Sequence, residues 1–160
     1  MNWQEFNKYT PAFDYIIEFK PMHIIEYGGG QSTYFINQLL DELNYGGKVT
    51  AYENNPEFYE FSNSQNWNSH NSIKLTDLAF IDEKLGTLRY NHDVEEVLNV
   101  DFIIIDGPDY RLYDKYGITD NIEFLQEQFG RTIPFWIEGR SGCQHYYKGL
   151  NYKMITDYEV

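Results

Sequence analysis

Four acidic side chains, Glu26, Glu53, Asp106 and Glu138, each stand directly after an apolar run. If those runs are parallel strands, all four carboxylates meet at one edge of the sheet, where ligands of such sheets bind. Carboxylates there can accept bonds from vicinal hydroxyls, hold a cation or take a proton. The first acid opens the most informative stretch of the chain, Glu26-Tyr27-Gly28-Gly29-Gly30-Gln31-Ser32-Thr33. Glycines let a backbone turn sharply and approach a ligand closely. A helix starting after them presents free N–H groups. A strand, a glycine loop and a helix here form a small-molecule cradle. The plain alternative is a tight strand-to-helix turn.

The loop is not the dinucleotide fingerprint, because Thr33 stands where G-x-G-x-x-G needs its third glycine. It is not a phosphate loop either, since no Gly-Lys-Ser/Thr follows. Glu53 ends a second apolar run, roughly 20 residues past the glycines, where an acid accepts bonds from ribose hydroxyls. Its competing role is a solvated acid ahead of a helix capped through Asn54-Asn55-Pro56. Asp106, before Gly107-Pro108, could orient an ammonium, act as a base or bind a metal, or be a plain turn acid. Asp106 and Glu138 together could share a magnesium ion, but an ion pair of Glu138 with Arg140 or Arg111 is the preferred reading, so no metal site is assigned. His145 and Cys143 fall near the same end, and His145 is a candidate catalyst. His23 reads as structural; His70 and His92 fall in loops without a pattern.

The elements that must position these residues follow from periodicity. Apolar spacing and proline placement predict helices over Pro11–Lys20, Ser32–Asn44, Asn55–Ser64, Thr119–Gln128 and Ser141–Lys148, with a short one at Val94–Leu98. The pair Gly46-Gly47 is expected to end the second. Strands are predicted at His23–Tyr27, Lys48–Glu53, Ser72–Leu75, Asp101–Asp106, Thr132–Glu138 and Lys153–Asp157, and a hairpin at Leu78–Asp82 and Gly86–Tyr90. The run Phe102-Ile103-Ile104-Ile105 is typical of a parallel strand buried on both faces. The alternation implies an α/β fold: a Rossmann-like, doubly wound, mostly parallel sheet of about six or seven strands with helices on both faces, plus a small hairpin insertion. The expected organisation is one domain over 1–160, with a helical cap at 1–20 and the core at 21–160.

Composition narrows the function classes. The 160 residues carry 12 Lys+Arg against 25 Asp+Glu, a net charge of -13 that argues against a nucleic-acid backbone as main partner. The single cysteine excludes an internal disulfide and argues against a Cys-based zinc site. No apolar run approaches the ~18 residues of a membrane span, and Met1 to Thr10 lacks the pattern of a signal peptide. A cytoplasmic protein without membrane or nucleic-acid partners is expected.

At this point the chain resembles the class I S-adenosylmethionine-dependent methyltransferases, over about residues 21–157. Glu26-Tyr27-Gly28-Gly29-Gly30-Gln31-Ser32 is similar to the family's first motif, with Ser32 in place of its last glycine. Ala51-Tyr52-Glu53 looks like the second-strand acid, Asp101 to Pro108 like the fourth-strand motif, and Phe135 to Arg140 like the fifth strand. The resemblance implies S-adenosylmethionine as cofactor. Glu26, Gly28, Gly29, Gly30 and Ser32 would hold its amino-acid end, Glu53 with Asn54 its ribose, Asp77 its adenine amine, and Asp106 its ammonium or the acceptor. Asp106, Glu138 and His145 are the candidate catalytic residues. Gly139 follows Glu138 where magnesium-binding members carry Asn, and the seventh, antiparallel strand of the family has no counterpart in this reading.

The expected activity is methyl transfer to a small-molecule or sugar hydroxyl. Acceptor recognition falls to the 76–95 hairpin, the 109–118 loop or a second copy in a homo-oligomer. A binding module that has lost transfer, and an enzyme using another nucleotide cofactor, are the rival readings.

Overall fold

A buried parallel sheet organises the chain. Its strands are β1 (His23–Tyr27), β2 (Lys48–Glu53), β3 (Ser72–Leu75), β6 (Phe102–Ile105) and β8 (Phe135–Ile137). They lie in the order β3-β2-β1-β6-β8, every neighbouring pair parallel. The order reverses between β1 and β6, where the chain leaves β1 toward β2 on one side and returns to it with β6 on the other. The computed structural model describes residues 2–65, 71–109, 111, 113, 117–150, 152, 154 and 155; His70 and most of Lys153–Asp157 lie outside them.

Side-chain alternation divides the core into two faces. Ile24, Phe102, Ile104 and Trp136 pack with helices α1 (Thr10–Phe19) and α2 (Gln31–Leu43), through Phe13, Ile16, Phe35, Ile36 and Leu39. Ile25, Tyr27, Ile103, Ile105 and Phe135 pack on the opposite face with α4 (Asn121–Phe129) and α5 (Ser141–Gly149), through Ile122, Leu125, Cys143 and Tyr147. Pro11 sits in the first turn of α1, and Lys20 ends it in the left-handed conformation at φ 48°. Helix α3 (Pro56–Asn63) starts where the Asn55 side chain accepts the Glu57 N–H at 2.9 Å. Asn44 at φ 46°, not the later glycine pair, caps α2.

Among the described residues the main sheet has five strands, fewer than the six or seven expected. The hairpin β4 (Leu78–Asp82) and β5 (Thr87–Tyr90) pairs instead with β7 (Ile118–Thr119), giving a separate mixed sheet of three strands. Pairing with β5 takes Thr119 out of the helix expected to start there. β8 is shorter than predicted because Pro134 has no N–H for the ladder. Of the predicted last strand, Met154 forms one parallel bridge with Phe135. No helix among the described residues is long and apolar enough to cross a membrane.

Candidate functional site

The carboxyl ends of β1, β2, β6 and β8 surround a cavity of about 740 Å³ at the reversal of strand order. That volume suits a small molecule. Gly28, Gly29, Gly30 and Ser32 form its floor, with Glu53, Asp106 and Gly107 beside them.

The three glycines serve different needs. Gly28 has φ +91°, and a Cβ there would lie 2.1 Å from the Gly107 backbone nitrogen. A Cβ on Gly107 would in turn meet the Tyr90 hydroxyl at 2.1 Å and the Gly28 Cα at 2.3 Å. The two loops therefore touch backbone to backbone. Gly29 fits against Ala51 and Ile73, whose side chains would lie 2.9 Å from an added Cβ. Gly30 alone has open space, with no atom within 4 Å of an added Cβ. Two of the three glycines thus serve internal packing, and one serves the cavity.

The four strand-end acids do not share one environment. Glu53 is buried and accepts the Asn55 N–H at 2.6 Å, and burial pushes its carboxyl up to about 7. Asp106 accepts the Tyr9 hydroxyl at 2.6 Å; desolvation pushes it up to about 6. Glu26 is fully buried beneath the glycine loop and does not line the cavity. It points to the same sheet face as Ile24, toward α1 and α2, where Tyr9 (3.1 Å) and Thr33 (2.5 Å) bond to its two oxygens. Glu138 does not line the cavity; its side chain stands beside that of Asp106 and adds to the upward shift there, with Lys8 at 3.9 Å. The expected pairing of Glu138 with Arg140 or Arg111 does not form: Arg111 makes a two-pronged bond to Asp109, and Arg140 donates to the Asp106 carbonyl oxygen.

The Tyr9 hydroxyl lies within bonding distance of both Glu26 Oε1 and Asp106 Oδ2. One hydroxyl hydrogen cannot serve two carboxylates. Burial pushes Glu26 up to about 8, so at neutral pH its carboxyl carries a proton and supplies the second hydrogen. Thr33 Oγ1 accepts the Gly30 N–H at 2.9 Å and donates to Glu26 Oε2. A continuous hydrogen-bonded chain therefore runs from the Gly30 backbone through Thr33, Glu26 and Tyr9 to Asp106.

Several residues to which the sequence assigned no ligand-binding role line the cavity. Phe6 and Lys8 come from the N-terminal segment, which folds as two 3-10 turns ahead of α1. Phe58 and Phe61 come from one face of α3, and Arg140 from the turn after β8. Phe58 and Phe61 are about half exposed and three residues apart, a signal the sequence carried as two apolar residues on a polar helix. Nothing in the local pattern marked Phe6 or Lys8.

Three further predicted residues do not line the cavity. Asn54 bonds to Tyr113 and Tyr90. Asp77 is exposed between β3 and β4, and His145 is exposed on α5. The hairpin of 76–95 contributes no lining residue, whereas Asp109 and Arg111 of the 109–118 loop do. His92, given no role by sequence, stacks on Tyr52 at 4.4 Å and bonds to the Tyr27 hydroxyl. Among the described residues, no three His, Cys, Asp or Glu side chains group as a metal ion would require. Compared with known proteins, the chain matches no protein-family model and no curated protein.

Proposed function

We propose that this chain binds S-adenosylmethionine in the cavity and directs its methyl group to a small-molecule hydroxyl, on a sheet read as Rossmann-like from its order and its crossing point. The observation that carries the reading is the meeting of Gly28–Gly30, Glu53 and Asp106 around one cavity at that point. The residues suit the cofactor part by part. Glu53 is a buried acceptor at the end of β2, fit for a ribose diol. Phe58 and Phe61 offer ring faces for a planar base. The first turn of α2 supplies N–H groups, and Asp106 a negative charge for a cation.

The bound cofactor supplies an electrophilic methyl on a sulfonium. The chain's own contribution is alignment and proton handling. Asp106, at about 6, is mostly ionised at neutral pH, and its hydrogen bond from Tyr9 fixes one oxygen. It is the group at the cavity suited to take the acceptor's hydroxyl proton. Titration calorimetry with S-adenosylmethionine and S-adenosylhomocysteine tests the reading: saturable binding of both is expected, and absence of binding at millimolar concentration overturns it.

One observation favours a binding module without transfer. Of Asp106, Glu138 and His145, Asp106 alone lines the cavity. Cofactor binding without release of S-adenosylhomocysteine across a panel of hydroxyl acceptors would select that reading.

A further inference from the structure

The chain has only 12 Lys and Arg residues, yet three of them, Lys8, Arg111 and Arg140, line this one cavity. They are not equivalent. Arg111 is committed to Asp109 by two parallel bonds of 2.9 and 2.7 Å. Arg140 spends one N–H on the Asp106 carbonyl oxygen, and its Nε is buried without a partner. Among the described residues no carboxylate lies within ion-pair distance of Arg140. A guanidinium has five N–H donors and prefers a planar oxyanion that takes two at once. Glu53 and Asp109 act on it only from beyond ion-pair distance, so its remaining N–H donors are open to a ligand that reaches them directly. Lys8 adds a second charge, with Glu138 at 3.9 Å, beyond hydrogen-bonding distance.

The cations gather on one side of the cavity, beside Asp106 and Asp109. Glu53, Glu57, Phe58 and Phe61 come from the β2–α3 side, whereas Arg140 and Lys8 come from the β8 side and the N-terminal segment that covers it. We infer that Arg140 and Lys8 form an oxyanion subsite that receives a carboxylate or phosphate group of the methyl acceptor. The acceptor is then an anionic small molecule. The assignment to the acceptor rests on the proposed cofactor reading, with base and ribose on the β2–α3 side. The oxyanion subsite itself rests on Arg140 and Lys8 and does not depend on that reading. The other source of an oxyanion is the carboxylate of the cofactor's amino-acid end, and the experiment separates the two.

Inorganic phosphate and acetate are titrated into the protein at constant ionic strength, with chloride as control, first alone and then with S-adenosylhomocysteine at saturation. Binding is read by calorimetry and by amide NMR shifts. Phosphate is expected to bind with the same affinity in both arms. Arg140→Gln should weaken it by about tenfold, the scale of one charge-assisted bond, and Lys8→Gln by a smaller factor. Lys8 is half exposed, so its variant keeps the test open should Arg140→Gln fail to fold. Competition between phosphate and S-adenosylhomocysteine would assign the subsite to the cofactor and overturn the inference. So would a wild-type protein indifferent to both anions, or variants that bind phosphate unchanged. Arg140-dependent phosphate binding without any S-adenosylhomocysteine binding would instead remove the methyl-transfer reading and leave the oxyanion subsite standing.

Discussion

The Tyr9 hydroxyl reaches Asp106 Oδ2 across 2.6 Å, joining residues 97 positions apart in the chain. Tyr9 is fully buried, its ring 4.9 Å from that of Trp136 and its hydroxyl also bonded to Glu26. The N-terminal segment is thus tied into the same hydrogen-bonded chain that ends at the cavity acid.

Tyr9→Phe keeps the ring and removes the bridge. Two buried carboxyl groups then lose a partner, and unfolding free energy should fall by about 1–3 kcal/mol. Urea denaturation measures this directly. Stability equal to wild type would mean that the hydroxyl carries no weight in the network.

Stability should decline with rising pH in a defined window. Burial holds Glu26 at about 8, Glu53 at about 7 and Asp106 at about 6. Native protein therefore binds more protons than the unfolded chain, so this contribution is full below the ordinary carboxyl value and is lost as pH rises through the native values. His23, pushed down to about 4 by burial, and His92, also lowered by burial, act in the opposite sense, an effect that fades above their ordinary value of 6.5. Between pH 6.5 and 8 the carboxyl trend dominates. Urea midpoints of the ligand-free protein should fall across that interval, and Glu26→Gln should flatten the slope. A wild-type midpoint that rises there contradicts the assignment.

The glycine loop separates folding from binding. Gly28→Ala places a methyl into the Gly107 backbone at a left-handed φ and should cost about 3 kcal/mol or more. Gly30→Ala meets no atom and should change stability by less than about 1 kcal/mol. Its methyl stands on the cavity floor, so cofactor affinity should fall. Thermal melts with calorimetry on the two variants check both halves, and a stable Gly28→Ala would contradict the loop contact.

Glu53→Ala should weaken S-adenosylmethionine binding by about 1–3 kcal/mol, the range for a bond to a charged group. Asp77→Ala and His145→Ala, both on exposed positions away from the cavity, should leave affinity within about 0.5 kcal/mol. Calorimetric titration of the three variants decides between these assignments.

The readable parts of the sequence were those where one local rule governed the outcome. Phe102 to Ile105 is a β-branched, apolar run bounded by Asp and Gly-Pro, typical of a buried strand, and the acid and glycine after it stand at its end. Alternation also carried a clue that a run buried on both faces obscured. Glu26 shares its sheet face with Ile24, which turns it away from the cavity and under the loop. Phe6, Lys8 and Tyr9 were illegible for another reason. They reach the site through tertiary packing of a segment whose own pattern shows only short turns. The two-residue strand β7 is too short to show a period, so the sequence shows only the hairpin of the mixed sheet that β7 completes.

The backbone contact between Gly28 and Gly107 also decides where this protein has room to diversify. The loops after β1 and β6 act as one mechanical part: neither accepts a side chain at the contact, and altering the path of one displaces the other. The floor of the cavity is therefore fixed. Its walls are not so bound, since Phe6 and Lys8 come from short turns and Phe58 and Phe61 from a half-exposed helix face. A library meant to recode ligand choice gains most by randomising those wall positions and leaving the paired glycines untouched.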